Sequence, residues 1–176
     1  MQRAQWVKAQ IMCGVKTNII TAVEIGEERS GDSPVLPPLV NATAKAFTIS
    51  EVSADAAYGG AANVATIAAH NGTPFIAFKR NATGKASAMY QQMFHYFMYR
   101  REEYLQRYHK RSNVESTFSM MKRKFGDSLR SKTDTAMVNE TLCKVLCHNL
   151  VVLTHEIHEL GIGATFWADS QVIGQA

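Results

Sequence analysis

The feature that most constrains the fold is a change of hydrophobic pattern near residue 80. Before it, short runs rich in β-branched and aromatic residues alternate with turn residues, and after it apolar residues recur at helical spacing. Residues 5–13 and 19–25 predict the two strands of a hairpin, joined by a loop that contains Gly14 and Asn18. Strands first and helices afterwards is the order of a mixed α/β domain.

The remaining elements follow from the same patterns. Residues 26–37 are rich in Gly and Pro and predict a loop, and a short helix near 38–46 follows. The other predicted elements are a strand over 46–54 that ends at Asp55, a helix over 61–71 with Gly72 in the left-handed position after it, a strand over 74–79, and helices over 84–108, 112–126 and 135–160, the last ended by Gly161. In this last helix, apolar residues recur at helical spacing: Val138, Leu142, Val145, Leu146, Leu153, Ile157 and Leu160.

Size and composition favour one globular domain. The chain has 176 residues, of which 46% are apolar and 19% charged, as in soluble folded proteins. We predict a domain over residues 1–161 and a tail over 162–176 with no clear pattern. No stretch approaches eighteen uninterrupted apolar residues, which argues against a membrane span. The first ten residues lack the apolar core of a secretory signal.

The three cysteines predict reduced thiols in a cytosolic setting. They are Cys13, Cys143 and Cys147. The last two lie four residues apart and precede three histidines, but the spacing is not that of a zinc motif. Small buried thiols on a packed helix are therefore the favoured interpretation.

Charge is concentrated in one segment. From Arg100 to Lys132 there are ten Lys and Arg against four Asp and Glu, which gives +6, while the rest of the chain sums to −2 of the total +4. A concentrated positive segment is the electrostatic pattern of a protein that binds a phosphate backbone. Taken alone, such a segment also fits a solvated helix face.

Within this segment, four polar and charged residues keep a fixed spacing at offsets of 0, 3, 7 and 14: Tyr108, Arg111, Glu115 and Lys122. On one helix they fall within an arc of roughly 60°. An adjoining apolar stripe consists of Val114, Phe118, Met121 and Phe125. The pattern predicts a helix that packs the stripe on a core and presents a carboxylate and a lysine along its edge. From there the carboxylate can reach a metal and the lysine a phosphate.

A structural interpretation of Glu115 competes with this one. Ser112 and Glu115 form the Ser-x-x-Glu pattern of a capping box, in which the Glu side chain returns to the amide of the cap residue. If Ser112 caps the helix, Tyr108 and Arg111 precede it and the shared arc holds only for Glu115 and Lys122. Local sequence alone leaves both interpretations open.

The spacing Tyr-x2-Arg-x3-Glu-x6-Lys resembles the signature of the DDE transposases of bacterial insertion sequences. Neighbouring stretches are similar to the same family: WVKAQIMCGVKTNIITAVEI near the start, ADAAYGG at 54–60, RYHKRSNVESTFSMMKRKFG at 107–126 and NETLCKVLCHNLVVL at 139–153. The resemblance thus covers about residues 5–160.

The resemblance implies a fold, a metal site and a set of roles. It implies a ribonuclease H-like α/β fold, with a mixed sheet flanked by helices, and three acids that hold two divalent metals, Mg²⁺ or Mn²⁺. The second acid follows a strand in the pattern Asp-x2-Tyr, which Asp55 and Tyr58 match. The third acid of the family falls on Glu115.

The chemistry explains these residue types. Hard divalent metals prefer carboxylate oxygens, and two of them about 4 Å apart activate the attacking oxygen and stabilise the leaving one in displacement at phosphorus. Arg111 and Lys122 would grip DNA phosphates. By resemblance Tyr108 would touch the transposon end, although an interfacial aromatic residue is an alternative, as a turn or cap aspartate is for Asp55.

The sequence departs from the family at its first acid. In the family that Asp lies on a strand before the hairpin, whereas here the hairpin begins almost at Met1. Glu24 and Asp32 are not convincing substitutes, since Asp32 lies in a Pro/Gly-rich loop where capping explains it better. We therefore expect the first, central strand to be missing, sheet edges to be exposed, and the chain alone to be inactive or nearly so.

Four functions remain in view. The leading one is DNA cleavage and strand transfer at transposon ends. Such an enzyme acts on transposon-end DNA and target DNA, with a homodimer as its candidate oligomeric state, in the bacterial cytoplasm at the nucleoid and without a membrane. The alternatives are a non-catalytic DNA-binding remnant, another ribonuclease H-like nuclease, and a helical interaction domain in which Glu115 is only a cap. Salt-dependent DNA binding without cleavage would favour the first alternative.

Overall fold

The computed structural model describes residues 7–26 and 31–161. In these residues the strands are β1 (Lys8–Cys13), β2 (Ile20–Gly26), β3 (Glu51–Ala54) and β4 (Thr73–Ile76). The α-helices there are α1 (Leu36–Ala44), α2 (Ala61–Ala69), α3 (Ala88–Tyr99), α4 (Arg101–Tyr108), α5 (Asn113–Phe125) and α6 (Asp134–Leu160). Short 3-10 helices lie at Ser33–Val35, Ala56–Tyr58 and His109–Ser112. The predicted mixed α/β order is confirmed.

The strands form two small sheets. β1 and β2 pair antiparallel from Lys8↔Gly26 to Cys13↔Ile20, with a bulge at Met12/Cys13. β3 and β4 pair in parallel and are connected through α2. Over residues 7–26 and 31–161 no strand pairs with both β1 and β3, so the described chain holds two two-stranded sheets in place of one mixed sheet.

Helices cover both faces of these sheets. On one face, α1 and α2 pack against both sheets around a cluster of buried residues: Leu36, Val40, Ile49, Val52, Ala54, Ile67 and Ile76. On the other face, a second cluster joins β4 to α3 and α4: Phe75, Met93, Phe97, Tyr104 and Tyr108. A third cluster joins the hairpin to α5 and α6: Ile11, Ile20, Met121 and Val145. The predicted stripe on α5 contributes to this third cluster.

The strand predicted over 46–54 is four residues long, so its predicted start is wrong. Residues 46 and 47 lie in the turn that follows α1, where the amides of Ala46 and Phe47 donate to the carbonyl of Thr43. The amide of Thr73 donates to the carbonyl of Ser50, directly before the first residue of β3 that pairs with β4. The local β pattern was overridden by the hydrogen bonds that complete the helix.

The single helix predicted over 84–108 is wrong as well, since it is divided into α3 and α4 at Arg100. Arg100 adopts φ −129° and ψ 53°, outside the helical region. A straight helix over 88–108 would be about 32 Å long, more than twice the length of the four-residue strands below it. The turn at Arg100 lets both halves pack on the cluster around Phe75.

Gly72 does not take the predicted left-handed position. Asn71 does so instead, with φ 59°, a conformation that asparagine tolerates. Gly72 serves close packing, because a Cβ at this position would lie 3.0 Å from the Cγ2 atoms of both Ile49 and Ile67. Gly161 ends α6 as predicted, in a left-handed conformation with φ 63°.

Helix α6 buries an inner face that consists of Met137, Thr141, Val145, His148 and Val152. Of the apolar repeat named from the sequence, only Val145 is buried.

Cys143 and Cys147 are exposed, so the prediction of buried thiols is wrong. Among the described residues, no group of three or more His, Cys, Asp or Glu could hold a metal ion. By length and composition alone α6 could cross a membrane, as long helices of soluble cores also can.

Candidate functional site

One row of β3 residues faces the helical run from α4 to α5. Side chains of a strand alternate between its faces, so Glu51 and Ser53 point the same way, and Asp55 follows directly after the strand. Glu51 pairs with Arg107 and, at 3.0 Å, with Lys110. The hydroxyl of Ser53 donates to the carbonyl of Arg107 at 2.9 Å. The row therefore binds the helical run through polar contacts.

Asp55 completes this row. Its backbone is extended, and its carboxylate accepts a 3.2 Å hydrogen bond from the amide of Ala57, which caps the 3-10 helix that follows. Its other oxygen, Oδ2, lies 3.3 Å from Nη1 of Arg111. Since the side chain is 53% exposed, Asp55 keeps access to solvent. Asp55 therefore does act as a cap, as the alternative interpretation predicted, but the cap uses only one oxygen of its carboxylate.

Arg111 lies between two carboxylates that are distant in sequence. Its Nη1 atom is 3.3 Å from Asp55 and 3.9 Å from Oε1 of Glu115. Its Cζ atom lies 4.9 Å from the centroid of the Tyr108 ring, within cation–π range. The Nε atom is buried and has no hydrogen-bond partner among the described residues. One cation thus faces both predicted acids and retains one unused donor.

Glu115 is not a cap. Ser112 has helical backbone angles and makes no side-chain cap hydrogen bond; its hydroxyl donates instead to the carbonyl of His109. The capping-box interpretation is therefore wrong in this structure, because the 3-10 helix before α5 leads into it without an extended cap residue. The side chain of Glu115 is 76% exposed, so it is open to a ligand.

Tyr108 is more deeply placed than the other residues of the signature. It is 9% exposed and belongs to the aromatic cluster beneath α4. Its ring supports the guanidinium of Arg111. Burial of this kind favours the interfacial role, in which Tyr108 holds Arg111 in place.

Lys122 is the one signature residue that lies apart from this group. It is exposed on the last turn of α5, beside Arg123 and Lys124. Seven residues separate it from Glu115, which is about 10 Å along a helix and nearly the same angular position. The structure thus gathers Asp55, Tyr108, Arg111 and Glu115 at one end of a charged edge, with Lys122 toward its other end.

Sequence reasoning missed a polar chain beside Asp55. The side-chain amide of Gln10 donates to the hydroxyl of Tyr58 and to Asp32, each at 2.9 Å, and Lys8 pairs with Asp32 at 2.6 Å. Burial raises the pKa of Tyr58, while the hydrogen bond from Gln10 lowers it. Asp32 makes no side-chain cap hydrogen bond, so its predicted capping role is wrong. The contact between Gln10 and Asp32 joins residues 22 positions apart, so no local sequence pattern predicts it.

Arg111, which lies between Asp55 and Glu115, indicates whether these two acids could share a metal ion. Both carboxylates face one guanidinium, so both can approach a single cation. Oxygen ligands suit Mg²⁺ and Mn²⁺. No third acid completes a cluster in the part of the chain that is described. The residues present therefore fit part of the coordination shell of one divalent metal.

A family model for the transposase DDE domain matches residues 2–150, which includes both acids and the whole signature. Searches of curated proteins and of solved structures each found no match.

Proposed function

Since this chain belongs to the family of transposases with a DDE domain, we propose that it takes part in metal-dependent DNA cleavage and strand transfer at transposon ends, with Asp55 and Glu115 as metal ligands. One observation carries the proposal. Asp55 and Glu115 lie sixty residues apart in sequence, yet both face the guanidinium of Arg111. Two exposed acids around one cation are the beginning of a divalent metal site.

Arg111 has two roles in this proposal. While no metal is bound, its positive charge offsets the repulsion between the two carboxylates. When Mg²⁺ or Mn²⁺ binds to these carboxylates, Arg111 has to give up the place it holds between them. Its fork of donors, with the unused Nε, is then available to a DNA phosphate. Arg111 and the metal therefore compete for Asp55 and Glu115.

DNA is proposed to lie along the edge of α5. Lys122, Arg123 and Lys124 are exposed on its last turn, and a lysine there acts as a point charge on a phosphate. Transposon-end DNA and target DNA are the substrates that the family implies, at the nucleoid of a bacterial cytoplasm. A bound divalent metal would supply electrophilic stabilisation of the phosphate and a more acidic water ligand.

The chain by itself is expected to cleave poorly. Two carboxylates leave a hard divalent cation with most of its six or more oxygen positions to be filled by water or by other ligands. We therefore propose weak metal binding and little or no cleavage by the isolated chain. A further carboxylate supplied to the site would be needed for the two-metal arrangement of the family.

A non-catalytic DNA-binding protein is the second candidate. It is favoured by the +6 segment from Arg100 to Lys132 and by the pairing of both acids with Arg111. It predicts DNA binding that weakens steeply with salt and that does not respond to Mn²⁺. Cleavage of RNA–DNA hybrids in preference to transposon-end DNA would point instead to another ribonuclease H-like nuclease.

Mn²⁺ binding to the purified chain, followed by electron paramagnetic resonance, tests the metal site. Asp55→Asn and Glu115→Gln are each expected to weaken binding by at least about tenfold, or about 1.4 kcal/mol. Arg111→Gln is expected to strengthen it, because the competing cation is removed. Glu156→Gln on α6 is the matched control and should leave binding unchanged.

One result would contradict the metal site: Mn²⁺ binding that is absent, or that is unchanged in both Asp55→Asn and Glu115→Gln. Strong Mn²⁺-dependent cleavage of transposon-end DNA by the chain alone would refute the expected inactivity while supporting the function. DNA affinity of Lys122→Ala, measured at several salt concentrations, separates the role of α5 from that of the metal.

A further inference from the structure

A closed ring of hydrogen bonds lies beside the proposed metal site and joins β1, α2 and two of the 3-10 helices. On one side of the ring, the side-chain amide of Gln10 on β1 donates to Asp32 and to the hydroxyl of Tyr58, each at 2.9 Å. On the other side, Nδ2 of Asn63 on α2 donates to the carbonyl of Tyr58 at 2.8 Å and to the carbonyl of Ser33 at 3.0 Å. Since Ser33 follows Asp32 in the chain, the ring is closed.

Asn63 is the most deeply buried residue of this ring. It lies on the first turn of α2 and is 3% exposed. Its Nδ2 atom also contacts the hydroxyl of Ser33 at 3.1 Å. A buried amide is unfavourable unless it is hydrogen-bonded, whereas an apolar side chain at the same position would need no partner. What distinguishes an asparagine here is therefore the pair of turns that it holds together, one at Ser33 and one at Tyr58.

The second of these turns is the one that Asp55 caps, and we call its residues 55–59 the Asp55 turn. The amide of Ala57 donates to Oδ1 of Asp55 at 3.2 Å, and the amide of Tyr58 donates to the backbone carbonyl of Asp55 at 2.9 Å. The orientation of the carboxylate thus depends on where Asn63 holds this turn. Because Oδ1 is used by the cap, Oδ2 is the oxygen that lies 3.3 Å from the neighbouring guanidinium.

Close packing fixes the end of the Asp55 turn. A Cβ atom at Gly59 would lie 3.1 Å from the carbonyl oxygen of Ala56 and 3.4 Å from that of Ala77, directly after β4. Together with the two hydrogen bonds to Tyr58, this contact restrains the turn from β1, α2 and β4. A ligand group that is already held in place loses less conformational freedom when a metal binds.

We propose that Asn63 is a positioning residue for Asp55. By holding the Asp55 turn, it directs one carboxylate oxygen of Asp55 to the place of the cation between Asp55 and Glu115, and it touches neither metal nor DNA itself. The inference rests on the metal site proposed above, and it adds to that site a residue from α2, on the face of the sheet opposite to α4. Replacing a residue that orients a metal ligand commonly weakens metal binding by about ten- to hundredfold.

Mn²⁺ affinity of the full chain, measured by electron paramagnetic resonance, tests the role of Asn63. Asn63→Ala removes the donors to the Asp55 turn and is expected to weaken Mn²⁺ binding by about tenfold. Val64→Ala is the matched control, because Val64 is the next residue of α2 and is 2% exposed. This variant loses apolar packing but none of the hydrogen bonds to the turn. It should lower the melting temperature and leave Mn²⁺ affinity unchanged.

A double-mutant cycle separates positioning from general destabilisation. If Asn63 acts through Asp55, Asn63→Ala should weaken Mn²⁺ binding no further once Asp55→Asn is present, but should still weaken it in the Glu115→Gln background. The proposal would be overturned by an effect of Asn63→Ala that is as large in Asp55→Asn as in the wild type. An equal loss of affinity in Val64→Ala and Asn63→Ala would overturn it as well.

The amide resonance of Ala57 provides a test that needs no metal. This amide donates to Asp55, so its proton chemical shift reports the position of the carboxylate. We expect the Ala57 resonance to move in Asn63→Ala and to stay in place in Val64→Ala. A folded Asn63→Ala chain with an unchanged Ala57 resonance would refute the positioning role. A wild type that binds no Mn²⁺ but shows the expected shift in Asn63→Ala would support the positioning of Asp55 and contradict only the metal site.

Discussion

The hairpin and strand β3 hold their covering helices with different chemistry. The hairpin contacts α5 and α6 through apolar side chains, with Ile11 and Ile20 buried against Met121 and Val145. Strand β3 contacts α4 and the 3-10 helix before α5 through the charged row that begins at Glu51, although β4 beside it packs on α3 and α4 through the buried cluster around Phe75. The hairpin interface excludes water, and the β3 interface is a set of partly exposed ion pairs.

This difference separates stability from function. Apolar burial stabilises a fold in proportion to the area removed from water, whereas exposed ion pairs contribute about 0–1 kcal/mol. Charges on β3 therefore add little to folding, and they remain available for a ligand. Tyr104 is the exception among the polar contacts of α4, since it is fully buried in the cluster around Phe75 and bonds the backbone of Ile76.

The largest expected effect is on the apolar side. Ile20→Ala removes a side chain that is 5% exposed and should lower the free energy of unfolding by about 2–5 kcal/mol, because it leaves a cavity between β2 and the helices. Urea unfolding measures the change. Val15→Ala, at a 47% exposed position of the hairpin loop, should change little; equal losses in the two variants would contradict the comparison.

Tyr104→Phe tests the exception. The hydroxyl donates to the carbonyl of Ile76 at 2.8 Å and accepts from its amide at 3.0 Å. Burial holds the pKa of Tyr104 well above its ordinary value, so the donor proton is retained. Loss of both bonds should cost about 1–3 kcal/mol in thermal or urea unfolding. Tyr99→Phe is the control, because Tyr99 is 84% exposed. If Tyr104→Phe left the free energy of unfolding unchanged, β4 would not need the hydrogen bonds of Tyr104.

Asp55→Asn should affect stability less than either of these variants. Its pair with Arg111 is partly exposed, so the free energy of unfolding should change by less than about 1 kcal/mol, whereas Mn²⁺ binding is expected to weaken. Glu51→Gln gives a matched change in the same row without a proposed metal role. A loss of stability as large as that of Ile20→Ala would show that the charged row is structural.

The smallest effect concerns acid stability near the start of α6. The carboxylate of Glu140 accepts hydrogen bonds from the amides of Ser131 and Arg130 and pairs with Lys144, and these contacts lower its pKa from 4.5 to about 2. A depressed pKa means that the stabilisation is present above about pH 4.5 and is lost as the pH falls toward 2. The gap in melting temperature between wild type and Glu140→Gln should therefore close on acidification.

Glu159→Gln provides the control for this pH series. Its carboxylate is 59% exposed and pairs only with His155 among the described residues, so the melting temperature should follow the wild type from neutral to acidic pH. A difference between wild type and Glu140→Gln that is constant with pH would contradict the assigned cause. It would show that the backbone contacts do not depend on the charge of Glu140.

Local signals predicted the elements well. The hairpin with Asn18 in its turn, α2, α5 and the end of α6 at Gly161 follow from periodicity and turn chemistry, which act over a few residues. The break at Arg100 was not predictable, because its reason is the short sheet beneath it. The exchange between Asn71 and Gly72 was decided by the space between Ile49 and Ile67.

The sequence by itself determined the order of elements and the spacing of Tyr108, Arg111 and Glu115, since both are properties of consecutive residues. Only the tertiary structure decided that Asp55 joins Glu115 through Arg111, and which apolar row of α6 faces inward. A helix with two apolar rows can bury either, and the choice depends on what the other elements offer. Here Asn18 bonds His148 of the inner row, and Ile20 bonds Asn149 beside it.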